Sequence, residues 1–362
     1  MLLRLGPPST PKAATVLRKA RGAAIIRVMD ISKPSVRALA LLSGGLDSEL
    51  AVHVLQDQGV DVCGVTFESP FFESAKARKS AERLQIPLRV VDFTQDIIAL
   101  VNKPKHGFGS AMNPCIDCHA AMLRRAGDLM KEMGFDFLST GEVLNQRPMS
   151  QTRRNLEVVA QESGYADLVV RPLSAALLPE TEPERRKLID RGRLLGIDGR
   201  CRKVQLELAA RYGIEGFSSG TGGCRLTEPN YAIRLRDLRA HEGLHDVRAV
   251  DLLRVGRHFR LNARMKLIVG RDADDNAAIA GRADPGDLVL STEPMPGPTC
   301  LLPAAAGGDD IRLAAAICAR YSDAPPAAPV AVSIRSAQGL RQIDVTPASR
   351  EAADRIRIGP TR

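Results

Sequence analysis

Between residues 37 and 222 the chain alternates short apolar runs with stretches of helical periodicity. No other feature narrows the fold as much. The runs are RALALL (37–42), VCGVTF (62–67), LRVVDF (88–93), FLSTG (137–141) and DLVVRPL (167–173). Helical patterns over 46–58, 73–84 and 120–133 lie between them. Strands that are apolar along their whole length must be covered on both faces, and intervening helices supply that cover. The expected architecture is therefore α/β, a doubly wound parallel sheet spanning 37–245. In such sheets a ligand sits beyond the carboxyl ends of the strands. Four motif-bearing stretches (43–48, 68–72, 141–151 and 218–226) fall in loops after strands, which points to one site at that edge.

Beyond residue 245 the texture changes. RMKLIVG (264–270), DLVLS (287–291) and VAVSIRS (330–336) read as strands and 309–322 as a helix, so 246–362 is expected to be a smaller α+β domain. The basic stretch RVGRHFRLNARMK is read as the joint between the two. Residues 1–36 are expected to be a basic, disordered leader, or sequence upstream of a start at Met29. Its first 29 residues hold six Lys and Arg and no acid. The net charge of +9 thus shrinks to +3 without that leader, and overall charge is weak evidence for a nucleic-acid partner. From 147 to 260, however, 21 Lys and Arg face 15 Asp and Glu. A solvated surface explains such an excess unless a second signal agrees. No apolar stretch reaches the ~18 to 20 residues of a membrane span. Seven cysteines at irregular spacing without a secretory signal suggest reduced thiols and a cytoplasmic setting.

The loop after the first strand reads Ser43-Gly44-Gly45-Leu46-Asp47-Ser48. Glycines let a backbone turn tightly and approach a ligand. The N–H groups of such a turn, with the helix start behind it, can hold phosphate. Ser43 and Ser48 add hydroxyl donors, and Asp47 can hold Mg²⁺ beside the phosphates. A capped strand-to-helix turn is the plainer reading, but it does not require all six residue types together.

SGGLDS resembles the PP-loop of the ATP pyrophosphatases, which include several synthetases and the tRNA sulfurtransferases. The resemblance implies that the loop holds the pyrophosphate of ATP while a substrate oxygen attacks the α-phosphorus. It also explains why no lysine of the γ-phosphate-transferring kind is present. By the same resemblance the adenine is expected near Val65 to Glu68, with Phe67 among the ATP-binding residues.

Three cysteines bear on the substrate. NPCIDCH (113–119) places Cys115 and Cys118 three apart, and Cys224 lies in the glycine-rich SSGTGGCRLT. Such a set can ligate a metal or cluster, or supply a nucleophile and a sulfur carrier. Cys63, Cys300 and Cys318 lie in apolar settings and are read as structural, and Cys201 is ambiguous. NPCIDCH and GTGGCRLTEP resemble the two cysteine segments of the tRNA 2-thiouridylases, which implies a catalytic Cys118 and a persulfide-bearing Cys224. STGEVLNQRPMSQTRRNLEVV (139–159) resembles the corresponding segment of the 4-thiouridine-forming tRNA sulfurtransferases. That match implies roles for Gly141 and Gln146 at the nucleotide, and Asn145 stands where that pattern has glycine. Cys115 makes a third thiol, as in the iron–sulfur branch of thiolases, so a [4Fe–4S] cluster on Cys115, Cys118 and Cys224 stands beside a simple persulfide relay. His119 is either a fourth ligand or solvent-facing.

Together these resemblances imply ATP-dependent thiolation of a tRNA uridine with Mg²⁺, releasing AMP and pyrophosphate. The sulfur would come from hydrosulfide or from a cysteine desulfurase or persulfide carrier. Arg147, Arg153 and Arg154 are expected to meet tRNA phosphates. KLIVGRDADDNAAIA and DDIRLAAAICARYSDA…VAVSIRS resemble the RNA-binding domain of the NFACT family, which would give the small domain a grip on tRNA. The rival readings are an ATP-dependent enzyme acting on a small molecule, and an RNA- or sulfur-handling protein with a vestigial loop.

Overall fold

A computed structural model describes residues 35–217, 223–326 and 328–360. The leader expected over 1–36 lies almost wholly outside the described residues, as do 218–222 of the glycine-rich turn before Cys224. The first part of the chain runs β1 (Arg37–Leu41), α1 (Leu46–Gln56), β2 (Asp61–Glu68), α2 (Ala75–Leu84), β3 (Leu88–Asp92), α3 (Thr94–Asn102), α4 (Cys115–Glu132), β4 (Phe137–Thr140), α5 (Arg153–Ser163), β5 (Val169–Val170), α6 (Glu182–Arg185), α7 (Lys203–Tyr212), α8 (Pro229–His241) and α9 (Val247–Leu252).

The five strands form one parallel sheet in the order β3-β2-β1-β4-β5. Alternate residues of β1 feed two cores. Leu39 joins Val65, Phe67 and Leu138 on one face, while Ala38 and Ala40 join Val62 and Phe137 on the other. Each strand is thus buried on both sides, which is why it reads as an unbroken apolar run. The chain winds from β1 outward through β2 and β3, then returns to place β4 on the other side of β1. That reversal puts the loops after β1 and β4 next to each other at the carboxyl edge, where open α/β sheets bind ligands.

Helix α4 starts at Cys115, five residues before the helical pattern found in the sequence. Cys115 and Cys118 therefore sit one turn apart on the same face of its first turn. The tail of α4 lies close against α5: a side chain on Gly127 would collide with the ring of Tyr165.

The second part comprises β6 (Arg257–Arg260), β7 (Lys266–Val269), α10 (Ala273–Ala280), β8 (Asp287–Ser291), β9 (Cys300–Pro303), α11 (Gly308–Arg320), β10 (Val330–Ser336), β11 (Gly339–Val345), α12 (Arg350–Arg355) and β12 (Arg357–Ile358). Its seven strands are antiparallel, ordered β11-β10-β8-β9-β7-β6-β12, and α11 buries Ile311, Ala315 and Cys318 against them. The basic stretch read as a joint is in fact the β6–β7 pair, with Arg260 opposite Lys266.

The seam between the two parts is partly charged. Arg260 pairs with Asp237 of α8 and, at 2.8 Å, with Glu242, and Lys266 lies 3.7 Å from Glu242. His258 and Lys266 are both buried there, and burial holds their pKa values down. Helix α9 touches both sides: Val250 and Leu253 pack under the parallel sheet, and Leu252 packs on Ile268 and Ile279. Among the described residues no helix is long and apolar enough to cross a membrane.

Candidate active site

The loop after β1 is shaped by close packing. Gly44 has φ +78°, and a side chain there would collide with the backbone of Lys76 at the start of α2. Gly45 caps α1 without a side-chain hydrogen bond, so the first-turn N–H groups carry no side-chain cap. Ser48 Oγ donates to the Gly45 carbonyl at 2.7 Å, and Ser43 Oγ lies 3.3 Å from Ser48 Oγ. From the neighbouring strand, Gly141 closes the loop: a Cβ added to it would lie 2.5 Å from the Cα and N of Ser48.

Asp47 and Gln146 meet across this gap. Gln146 Nε2 donates to Asp47 Oδ2 at 2.9 Å, leaving Asp47 Oδ1 and Gln146 Oε1 buried and without a hydrogen-bond partner. Two orphaned oxygens, one on a carboxylate, beside a glycine-rich anion cradle form the donor set a hard cation such as Mg²⁺ accepts. Mg²⁺ therefore fits these residues. The ring of Phe67 is buried and packs edge-on against Phe93 at 5.2 Å, so it walls the strand end without offering an open stacking face.

Cys118 lies near enough to both Cys115 and Cys224 to feel their charge. Asn113 Nδ2 donates to Cys115 Sγ at 3.0 Å, and Asp117 anchors the preceding loop by accepting from the backbone N–H of Lys105 and His106, each at 3.1 Å. Cys224 is brought to α4 by backbone bonds on its own segment. Arg225 N donates to Phe71 O (2.9 Å), and Met112 N donates to Leu226 O (3.1 Å). Burial pushes the Cys118 thiol well up, and Cys224, Cys115 and Asp117 push it further. Burial likewise raises Cys224 to about 11; the backbone N–H of Leu226 opposes that and Cys115 adds to it. Cys115 thus disfavours ionisation of both Cys118 and Cys224, and any anionic sulfur on those two needs a cation or a covalent partner. Among the described residues no three His, Cys, Asp or Glu side chains converge as a metal site. As arranged, the thiols do not present a built [4Fe–4S] site.

A largely buried triad ties α4 to the loop after β4, which packs on residues 43–48. His119, its side chain 31% exposed, donates from Nδ1 to Glu142 at 3.3 Å. Glu142 also accepts from Arg171 Nε at 2.9 Å and Thr140 Oγ1 at 3.1 Å. Burial alone would raise the Glu142 carboxyl; Arg171 and His119 overcome it and bring it down to about 2. Sequence reasoning missed this triad, although its signals were present: Glu142 and Arg171 stand within the TGE and VVRPL segments. Contacts therefore run from Cys118 through its neighbour His119 to Glu142, and from Gly141 to Ser48.

Arg147, Arg153 and Arg154 are exposed, Arg153 Nη2 donating to Leu177 O at 2.9 Å. Cys63, Cys300 and Cys318 are buried in strands and a helix, and Cys201 is exposed. A cleft of about 760 Å³ also opens beyond β2 and β3, between Phe72 and Arg254. Glu73 lines it and pairs with both Arg254 and Arg225, the residue after Cys224.

Residues 34–177 match the family model described as thiamine biosynthesis protein (ThiI). That match covers less than half of the chain. Residues 256–356 match the model of the NFACT protein RNA binding domain. Among curated relatives, the tRNA-specific 2-thiouridylase MnmA of Cutibacterium acnes is 34% identical over 129 residues, covering 29% of this chain and 34% of its own. The enzyme of the same name from a Bradyrhizobium strain is 31% identical over 144 residues, covering 34% and 36%. The chain thus spans about a third of the length of these relatives. A solved 4-thiouridine synthetase–RNA complex with bound ATP aligns with 60% of this chain and 52% of its own at 21% identity, with a TM-score of 0.33. The region matched by the ThiI model contains SGGLDS, the TGE loop, Cys115, Cys118 and the His119–Glu142–Arg171 triad, while Cys224 lies beyond it.

Proposed function

We propose that this protein is an ATP-dependent tRNA uridine sulfurtransferase. The observation that carries this reading is the junction between loop and thiols: Gly141 packs on Ser48 of the phosphate cradle, and the next residue, Glu142, holds His119 beside Cys118. Activation and sulfur delivery would then occur within one site. Residues 43–48 bind the pyrophosphate of ATP through backbone N–H groups and the hydroxyls of Ser43 and Ser48. Asp47 and Gln146 would hold Mg²⁺, which would neutralise phosphate charge when bound. The uridine carbonyl oxygen attacks the α-phosphorus, the bond to pyrophosphate breaks, and an O-adenylated base results.

Sulfur is then added from the cysteine pocket. With a persulfide on Cys224, the terminal sulfur attacks the activated carbon and AMP leaves with the former carbonyl oxygen. The Cys118 thiolate attacks Cys224 Sγ, releasing the transferred sulfur and leaving a Cys118–Cys224 disulfide that an external thiol reduces. The donor that loads Cys224 is a persulfide carrier or cysteine desulfurase. In the iron–sulfur form of this reading, Cys115, Cys118 and Cys224 would hold a [4Fe–4S] cluster that presents hydrosulfide. Three thiols supply its donor chemistry, but they would have to converge to bind it.

The test is ATP–pyrophosphate exchange with and without unmodified tRNA, followed by nucleoside analysis for thiouridine. Exchange that depends on tRNA, with thiouridine formed when sulfide or a desulfurase is supplied, is the expected result. Exchange stimulated by a small molecule and not by tRNA would overturn the reading. Anaerobic purification with iron and acid-labile sulfide counts on wild type and on Cys115→Ala, Cys118→Ala and Cys224→Ala distinguishes the two sulfur routes.

A further inference from the structure

Asn145 stands at φ +58°, in the left-handed region where most side chains are strained. Asparagine tolerates that region better than most residues, and here its side chain is occupied: Nδ2 donates to Asp198 Oδ1 at 2.8 Å. A backbone bridge accompanies it, pairing Leu144 with Asp198, and Gly199 N donates to Leu144 O at 2.8 Å. The loop from Asn145 to Gln151 also closes on itself, with Asn145 N donating to Gln151 O at 2.7 Å and Gln151 N to Arg147 O at 2.9 Å. A segment some fifty residues downstream is thereby held against the loop that carries Gln146.

The tether gathers charge. Arg147 lies two residues beyond Asn145, and Arg200 two beyond Asp198, so each is within about 7 Å of extended chain from the bridge. Arg147, Arg153, Arg154, Arg200 and Lys203 are all exposed. Among the described residues, Arg147, Arg154, Arg200 and Lys203 have no carboxylate within ion-pair distance. In the same basic stretch Arg185, Arg186 and Arg191 each face one: Asp167, Glu182 and Glu184. Asp198, at the tether itself, is engaged by Asn145. Met149 (40%), Val204 (44%) and Leu206 (49%) are exposed among these cations. Unneutralised cations with apolar side chains between them match a phosphodiester chain, whose phosphates take the charge while riboses and bases cover the apolar surface.

We propose that the Asn145–Asp198 tether builds a composite rim in which Arg200 and Lys203 join Arg147, Arg153 and Arg154 to grip the backbone of the RNA strand entering the adenylation site. This rests on the reading of the protein as a tRNA-modifying enzyme. Gln146 contacts Asp47 and Arg147 follows it directly, so the rim borders the nucleotide cradle and would hold the strand beside the reacting uridine. The tether preorganises the two halves of the rim, so RNA need not order segment 198–203 on binding.

The experiment measures binding of an unmodified tRNA transcript to the full chain between 50 and 200 mM salt, for wild type, Arg200→Glu/Lys203→Glu and Asn145→Gly. Both charge changes are on exposed side chains, and Asn145→Gly keeps the left-handed backbone accessible. For the double variant the slope of log affinity against log salt should become shallower by about 2, roughly one for each phosphate no longer neutralised. Asn145→Gly should bind several-fold more weakly with an unchanged slope, because the charges remain and only their placement is loosened. Wild-type affinity and slope in the double variant, with wild type binding tRNA, would overturn the rim while leaving the proposed function intact. Failure of wild type itself to bind tRNA would overturn both.

Discussion

Replacing Glu142 by glutamine tests the triad most directly, because shape is nearly conserved and only the charge is lost. In the folded protein the carboxylate lies with Arg171 at 2.9 Å, and both side chains are about nine-tenths buried. Its pKa falls from 4.5 to about 2. A depressed carboxylate stabilises the fold above its unfolded pKa and loses that contribution as pH falls through the folded value. The window is therefore about pH 4.5 down to 2, and the shift corresponds to ~3 kcal/mol at neutral pH. Glu142→Gln removes this contribution and leaves the Arg171 guanidinium buried without a counter-charge, for which the usual range is about 3–5 kcal/mol. Urea unfolding from pH 7 to pH 2.5 checks both effects. The variant should be less stable by about 3 kcal/mol or more at pH 7, and the gap should shrink toward pH 2. A variant within about 1 kcal/mol of wild type at pH 7, or a gap constant with pH, would show that the pair does not hold the loop as argued.

Other outcomes follow from single features of the site. Asp47→Asn should reduce ATP–pyrophosphate exchange roughly 100-fold or more while unfolding in urea as wild type does, since it removes the charge from a cation site and no core packing. Gly141→Ala, with its new methyl 2.5 Å from the Ser48 backbone, should destabilise the fold by roughly 1–3 kcal/mol and abolish the thermal protection given by ATP. With Cys224 raised to about 11, roughly one thiol in ten thousand is ionised at pH 7. Mass spectrometry after brief iodoacetamide treatment should therefore find Cys201, which is exposed, alkylated first, and Cys224 only as the pH nears that value.

The parallel sheet was legible because its strands are buried on both faces and its helices lie between them. DLVLS and VAVSIRS, which face a core on alternate residues, were legible too. The β6–β7 pair was not. Its hidden face carries His258, Arg260 and Lys266, so a buried strand has the composition of a solvated linker. Only Val169 and Val170 of DLVVRPL are strand; Arg171 leaves the ladder to reach Glu142, and Pro172 cannot continue it. In the site, the glycines, Asp47 and the cysteines stood out because their chemistry is local to a motif. The triad was hidden because His119, Glu142 and Arg171 become neighbours only once α4, β4 and β5 are side by side. The Asn145 exception to the glycine pattern likewise acquires a cause only with its backbone angle and its Asp198 partner.

The charged seam between α8 and the antiparallel sheet has a mechanical consequence. Arg260 reaches two carboxylates, Asp237 and Glu242, from opposite ends of a single turn of chain, and α9 places side chains in the cores on both sides. Such a joint resists both sliding and hinging. On the proposed function, an RNA molecule held on the far sheet would meet residues 43–48 at a set distance, as on a ruler. The nucleotide offered for chemistry would then be chosen by how far along the RNA it lies from the grip, and an insertion in the connecting RNA helix would move a different base into place.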